Sequence, residues 1–371
     1  MAARGREFLL ILAFSVALLL VFEMLTRLVL PQDYRTTSLN GLPTAKDDSV
    51  LGHLNQPGAH VRLDAPEFSV EYIVSDEGFR DEVTHSLPKP DSVLRILLLG
   101  DSFTWGAGVA YDGIWPVVFE RRCLADGLPV DVIKAGVSGY DTRQEVLYLQ
   151  RLLPKYRPDI VILAFLPNDL VTNLPMSGND SLESRQALKQ DSLLVRNQGV
   201  KDSPFHVVTL LKRLLIANDF LYTKLYFNTD RSQYFSAPMT DRLKAQVAIT
   251  KELLAKALTY CRSNNAAFVA YSIPQQIQVL VKARNDHPPG IDVDFIDQEF
   301  SAFARDSTFT WIPALPELVQ RYQSDGKDLF YRLNGHLNRE GNAAVGECLY
   351  LKFRELRSAH SYRSSLNLSP R

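Results

Sequence analysis

The chain has 371 residues, enough for two domains or for one large α/β domain with insertions. Hydrophobic residues at 46% and charged residues at 22% give an ordinary globular balance, and 19 Gly with 20 Pro exclude a collagen-like or low-complexity chain. Lys plus Arg at 41 against Asp plus Glu at 42 leaves a net charge of −1, which argues against a protein built to neutralise nucleic-acid phosphates. The three cysteines, Cys123, Cys261 and Cys348, exclude a disulfide framework though not a single bridge, and no zinc-type spacing is present.

The amino terminus departs from this average. Phe8 to Phe22 is apolar throughout except at Ser15, with Arg4 and Arg6 ahead of it and an apolar continuation to Leu30. That is about 23 residues, sufficient for a bilayer at roughly 1.5 Å per residue. The segment (residues 1–30) reads as an uncleaved, single-pass signal anchor with its amino terminus in the cytoplasm and the body outside. A cleaved signal peptide and a buried helix are the alternatives. Residues 31–65 are polar and turn-rich (Pro31, Asn40-Gly41, Pro43, Pro57-Gly58) and read as a stalk.

From residue 66 to 357 the chain reads as one domain. Phe68 to Val74 mostly alternates as a strand should. From Val93 the pattern becomes strand, helix, strand. Strands are expected at Val93 to Leu99, Val130 to Ile133, Asp159 to Leu166, Ala267 to Ile273 and Thr308 to Ile312. Helices are expected at Ile114 to Leu124, Thr142 to Tyr156, Arg242 to Asn264, Val293 to Asp306 and Arg339 to Arg357. Strands apolar on both faces that alternate with helices imply a mostly parallel sheet covered on both sides. Residues 172–240 interrupt the rhythm with a polar stretch, leucines at helical spacing and an aromatic cluster, and form an insertion that is either a lid or a small packed subdomain. Residues 358–371 read as a flexible tail.

In a parallel sheet, ligands bind beyond the carboxyl ends of the strands. Four chain segments end there: Gly100-Asp101-Ser102, Gly136-Val137-Ser138-Gly139, Pro167-Asn168-Asp169 and Asn334-Gly335-His336. On its own, the Ser102 junction suits a nucleophile, a helix cap or a phosphate site. It is neither a G-x-S-x-G elbow, since Thr104 stands at the last glycine, nor a P-loop. A serine, a glycine N–H, an asparagine amide and a histidine brought together are what acyl transfer requires.

These blocks, in this order, resemble the SGNH (GDSL) hydrolase superfamily, from about Gly78 to Leu356 but not across residues 172–240. The lead-in Gly78-Phe79-Arg80-Asp81 resembles bacterial members with an amino-terminal anchor. The resemblance implies a three-layer α/β/α, flavodoxin-like fold with no metal or organic cofactor. It assigns Ser102 as nucleophile and His336 as general base, with an oxyanion hole made by the N–H groups of Ser102 and Gly139 and the amide of Asn168. Asp101 and Asp169 read as local hydrogen-bond acceptors. The other histidines (His53, His60, His85, His206, His287 and His360) lack a matching context.

Two positions depart from the family pattern. Leu166-Pro167 occupies the place where a glycine usually precedes the asparagine by two residues. Asn334 stands where relatives commonly carry the aspartate that orients the histidine, so Asn334, Asp328 or a backbone carbonyl is left to orient His336. The reading with most support is a membrane-anchored serine esterase or deacylase acting on an acylated small molecule or glycan. An O-acyltransferase for an envelope glycan would use the same residues and need a multispanning partner to supply acyl groups. A catalytically weak glycan-binding or scaffold module is a third reading. No nucleic-acid partner is expected.

Overall fold

The computed structural model describes residues 2–32, 44–173 and 204–358. Its centre is a five-stranded parallel sheet of β5 (Leu94–Gly100), β6 (Val130–Gly136), β7 (Ile160–Phe165), β8 (Ala267–Ser272) and β9 (Thr310–Pro313), in the order β6-β5-β7-β8-β9. Side chains alternate across it. Leu97, Leu99, Ile133, Val161 and Leu163 face one layer, formed by α4 (Thr142–Tyr156), α8 (Asp241–Ser263) and α10 (Phe295–Ser307). Ile96, Leu98, Val132, Ile160 and Ile162 face the other, formed by α3 (Trp115–Ala125), α11 (Leu315–Asp325) and α12 (Arg339–Ser358). Every strand buried on both faces requires a helix layer on each side, and the expected three-layer α/β/α architecture follows.

The chain reverses sheet direction at β5, which lies between β6 and β7. Register pairs Gly100 with Gly136 and Leu99 with Leu163, so three loops leave the sheet side by side at its carboxyl edge. The close approach demands glycine at residue 136, where a Cβ would sit 2.6 Å from the backbone nitrogen of Trp105.

The expected stalk does not run to residue 65. From Thr44 onward the chain is folded against the domain as two antiparallel hairpins, β1 (Ala45–Asp48) with β2 (Gly52–Asn55) and β3 (His60–Asp64) with β4 (Ser69–Ile73). Residues 33–43 lie outside the described residues. The boundary at 65 therefore moves to 44, because Leu51, Ala65, Phe68 and Tyr72 are buried. Of the insertion, residues 174–203 lie outside the described residues. The leucine-spaced stretch is helix α6 (His206–Ala217), and the aromatic cluster supplies α7 (Asp219–Phe227) and a short turn of 3₁₀ helix. The tail from 359 is likewise outside the described residues. Helix α9 (Gln276–Arg284) and helix α11 were not anticipated from the sequence.

Helix α1 (Ala2–Val29) is long and apolar enough to cross a membrane over Gly5–Val29, and only 6% of its most apolar window is buried. It is therefore not a core helix.

A buried charge cluster fixes β6 and the lead-in to β5. His85 bonds Asp131 at 2.6 Å and lies 3.4 Å from Asp81, Arg95 donates to Asp131 at 2.7 Å, and Lys134 pairs with Asp81 and Glu120, each at 2.9 Å. Burial alone would depress the His85 pKa, but the hydrogen bonds it donates to the Asp131 and Asp81 carboxylates, and their charge, outweigh it and raise the value to about 9. A raised pKa means stability present below the unfolded value near 6.5 and lost as pH rises through about 9. Thermal unfolding of the full chain in detergent should show a midpoint that falls from pH 6.5 to 9.5, corresponding to a loss of about 2 kcal/mol. The His85→Gln variant should be less stable at pH 6.5 and lack that slope. An unchanged slope in the variant would place the titration elsewhere.

Candidate active site

The nucleophile position is set by local chain geometry. After Gly100, Asp101 caps the single-turn helix α2 (Ser102–Trp105), its carboxylate accepting the Phe103 N–H at 2.8 Å. Ser102 thus sits at the head of a helix, with its hydroxyl directed at His336. The hydroxyl donates to His336 Nε2 at 2.7 Å, and Nδ1–H on the far side of the ring donates to Asn334 Oδ1. Nδ1 therefore carries the proton and Nε2 presents the lone pair that faces Ser102, the tautomer a general base requires. Phe103 packs against the imidazole at 5.0 Å between ring centres. Burial pushes the His336 pKa down to about 4, and a hydrogen bond that the imidazole donates to the Asn334 backbone only partly opposes it. The ring is neutral at physiological pH.

Asn334 is thus the residue that contacts His336. Asp328 is instead paired with Arg332, which also meets Asp219 of α7. The loop that carries Asn334 and His336 is terminated by Asn338, whose side chain accepts the Gly341 N–H at 2.9 Å and caps α12.

Gly139 and Asn168 lie on the loops to either side of Ser102. Gly139 has φ +83°, a left-handed conformation that side chains other than glycine rarely adopt. Asn168 heads the short helix α5 (Asp169–Thr172) without making a side-chain cap bond to it. Asp101 and Asp169 are local acceptors as expected, the second taking the Thr142 hydroxyl at 2.9 Å. Burial, reinforced by repulsion from neighbouring carboxylates (Asp101 and Asp141 on Asp169; Asp169, Asp101 and Asp141 on Glu145), holds Asp169 and Glu145 of α4 well above the usual carboxylate range.

The hairpins before β5 and the lead-in that follows them touch three of the four loops of the site, those of Ser102, Gly139 and His336. Asn55 donates to the Gly136 carbonyl at 3.0 Å, and His53 Nε2 meets the Ser138 carbonyl at 2.8 Å, close beside Gly139. Arg80, fully buried, donates to the carbonyls of Trp105, Gly106 and Val109 at 2.6–2.7 Å and lies over the Tyr72 ring. Glu67, in the β3–β4 turn, accepts the N–H groups of Leu333 (3.0 Å) and Asn334 (2.8 Å). Sequence reasoning passed over His53, Asn55 and Glu67. Only Arg80 carried a signal, in the lead-in motif.

The model of the GDSL-like lipase/acylhydrolase family matches residues 98–344, more than half of the chain. The chain belongs to this family. The sequence resemblance to SGNH hydrolases therefore stands. An arylesterase from Vibrio mimicus is 31% identical over 81 residues, 22% of this chain and 40% of that protein, so the chain spans well under half of that relative. Among solved structures, an acetyl xylan esterase (14% identity, TM-score 0.42) and TesA (13%, TM-score 0.41) each align over 70% of this chain and 98% of their own.

Proposed function

We propose that the chain is a membrane-anchored serine esterase whose catalytic domain lies outside the cytoplasm and which works through an acyl-enzyme. The observation that carries this reading is the contiguous relay Ser102–His336–Asn334. As Ser102 Oγ bonds to the ester carbonyl carbon, its proton passes to His336 Nε2 and the carbonyl π electrons move onto oxygen. The N–H groups of Ser102 and Gly139 and the amide of Asn168 receive that charge. Collapse expels the alkoxide, which takes the proton from His336 and leaves as alcohol. Water then repeats the sequence on the acyl-enzyme, and the acid departs. Arg4 and Arg6 ahead of the apolar helix support an amino terminus in the cytoplasm. The substrate class is a carboxylic ester, with small acyl groups on an aryl or glycan alcohol the first to try.

The deciding experiment supplies O-acetylated glycan to the full chain in detergent and measures acetate release against time, with and without an unacetylated acceptor glycan. Release that depends on Ser102 and ignores the acceptor supports the esterase. Acetyl groups recovered on the acceptor would establish the transferase instead, and no turnover of any ester would leave a binding module.

The Glu67 contacts carry a further expectation. Replacing Glu67 by alanine frees the backbone at Leu333 and Asn334 and lets the histidine loop drift, while leaving the relay itself intact. kcat should fall about tenfold, since misplacement of 1 Å costs up to about 10², with KM little changed and partial recovery in Glu67→Gln, which retains one acceptor oxygen. Steady-state kinetics on a soluble aryl ester read this directly. A lowered melting temperature with unchanged kcat would reduce Glu67 to a stabilising contact.

A further inference from the structure

Helix α6 carries apolar side chains on both sides. The side turned to the protein buries Thr209 and Ile216 and makes polar bonds, His206 Nδ1 accepting the Gln32 N–H at 2.8 Å and Arg213 donating to the Gln32 side chain at 3.3 Å. The other side is turned outward and is apolar too, with Phe205, Val208, Leu211 and Leu215 following one another at helical spacing and Leu211 and Leu214 exposed by 55% and 59%. Helix α7 continues the pattern. Its domain side packs Tyr222, Tyr226 and Phe227 into the core, with Tyr226 bonded to Gln275 and Asp219 to Tyr322, while Phe220, Leu221 and Leu225 face out. A soluble helix has one apolar stripe, turned to the core, and a polar outer face. Scattered exposed leucines need no explanation, but a run of them along the outer faces of two successive helices does.

The position of this face identifies what covers it. Helix α6 begins against the far end of α1, where the Glu23 carboxylate accepts the N–H groups of His206 (2.9 Å) and Val207 (3.0 Å) and pairs with Arg27 at 2.6 Å. Glu23 and Thr26 are buried by this contact in a helix otherwise exposed along its length. At roughly 1.5 Å per residue, the 25-residue apolar helix exceeds a hydrocarbon core of about 30 Å, so its last turns emerge at headgroup depth. The outward leucines of α6 and α7 thus lie beside the anchor at the level where an apolar helix face enters the acyl boundary. Lys224, over the Phe220 ring at 4.3 Å, places a cation at the edge of the same face.

We infer that α6 and α7 form a second membrane-contacting surface, seated in the bilayer interface beside α1. This rests on the reading of α1 as a membrane span. In consequence the domain is held against the bilayer at two places, and Arg332, which joins α7 to the loop of Asn334 and His336, lies between that surface and the site.

The test places nitroxide labels on single introduced cysteines, since Cys123, Cys261 and Cys348 are all buried. Full-length Leu18→Cys, Leu211→Cys, Leu215→Cys and Gln298→Cys proteins are reconstituted in phosphatidylethanolamine/phosphatidylglycerol vesicles. Collision with oxygen is compared with collision with a water-soluble nickel chelate. Labels at 211 and 215 should share with 18 a ratio favouring oxygen several-fold over that at the exposed residue 298. Residue 18 in lipid with 211 and 215 matching 298 would overturn the inference and leave the anchor intact. Spin–spin broadening at 211 would overturn it in favour of a second copy covering the face. An aqueous label at 18 would overturn the anchor and this inference together.

Discussion

Ser102→Ala should abolish ester hydrolysis and covalent labelling by a fluorophosphonate probe while leaving the melting temperature of the domain nearly unchanged. Ser102 is largely buried at the head of α2, and its hydroxyl donates to His336 at 2.7 Å. Removing one oxygen at that point leaves the backbone turn, the Asp101 cap and the neighbouring loops in place. What is lost is the atom positioned for attack. In serine hydrolases, loss of the nucleophile or of the base costs about as much as loss of the whole relay, on the order of 10⁶ in kcat. His336→Ala should therefore fall to the same floor, and the double variant should fall no further. Additive losses in the double variant, or full labelling of Ser102→Ala, would show that Ser102 and His336 do not act as one unit.

Asn334→Asp should raise activity, against the usual direction for a substitution in an active site. The present amide accepts the Nδ1–H bond but carries no charge, and burial holds the His336 pKa at about 4. Such an imidazole is correctly oriented yet a weak base, and the imidazolium formed as Ser102 attacks finds no counter-charge on its partner. A carboxylate at that position would make the hydrogen bond charge-assisted and raise the histidine pKa. The reverse change in a serine protease lowers turnover by about 10⁴, although there it also disturbs the tautomer. Here Nδ1 already carries the proton, so the expected gain is smaller, about 10–100-fold in kcat. The sign of the pH effect follows: the base must be neutral, so the native enzyme loses activity only as pH falls through about 4, and the variant loses it at a higher pH. A pH–rate profile whose acid limb does not move would show that the residue at 334 does not tune His336.

The sequence pattern reveals the sheet because buried parallel strands must be apolar on both faces, and Val93 to Leu99 and Asp159 to Leu166 stand out for that reason. Ser102, His336 and Asn334 are equally legible, because each follows a strand or precedes a helix and short-range chemistry fixes its direction. The hairpins at 45–64 are not. Their strands have four or five residues, most of them exposed or half-buried, so no alternation betrays them. They are held by bonds to remote loops, as in Asn55 to Gly136 and Gln144 to the Leu51 carbonyl. Glu67 was invisible for the same cause: its partners are backbone N–H groups 266 and 267 residues away, which leave no mark on side-chain identity. His53 fails as a reading for another reason, since nothing in its own neighbourhood distinguishes a loop histidine from one set beside Gly139.

The carbonyls of Trp105, Gly106 and Val109 converge on one guanidinium, that of Arg80. This means that the recognisable family region and the working unit have different edges. A recombinant fragment cut at residue 98 would keep every atom of the relay, yet it would lose the first half of β5 and strand two acceptors next to the helix that carries Ser102, the carbonyls of Trp105 and Val109, each at a cost of about 1–3 kcal/mol when buried, while Gly106 keeps the Val109 N–H. It would also lose the carboxylate that fastens the histidine loop. Shortening the protein from the amino terminus is therefore an operation on the active site, however far from Ser102 the scissors fall along the chain.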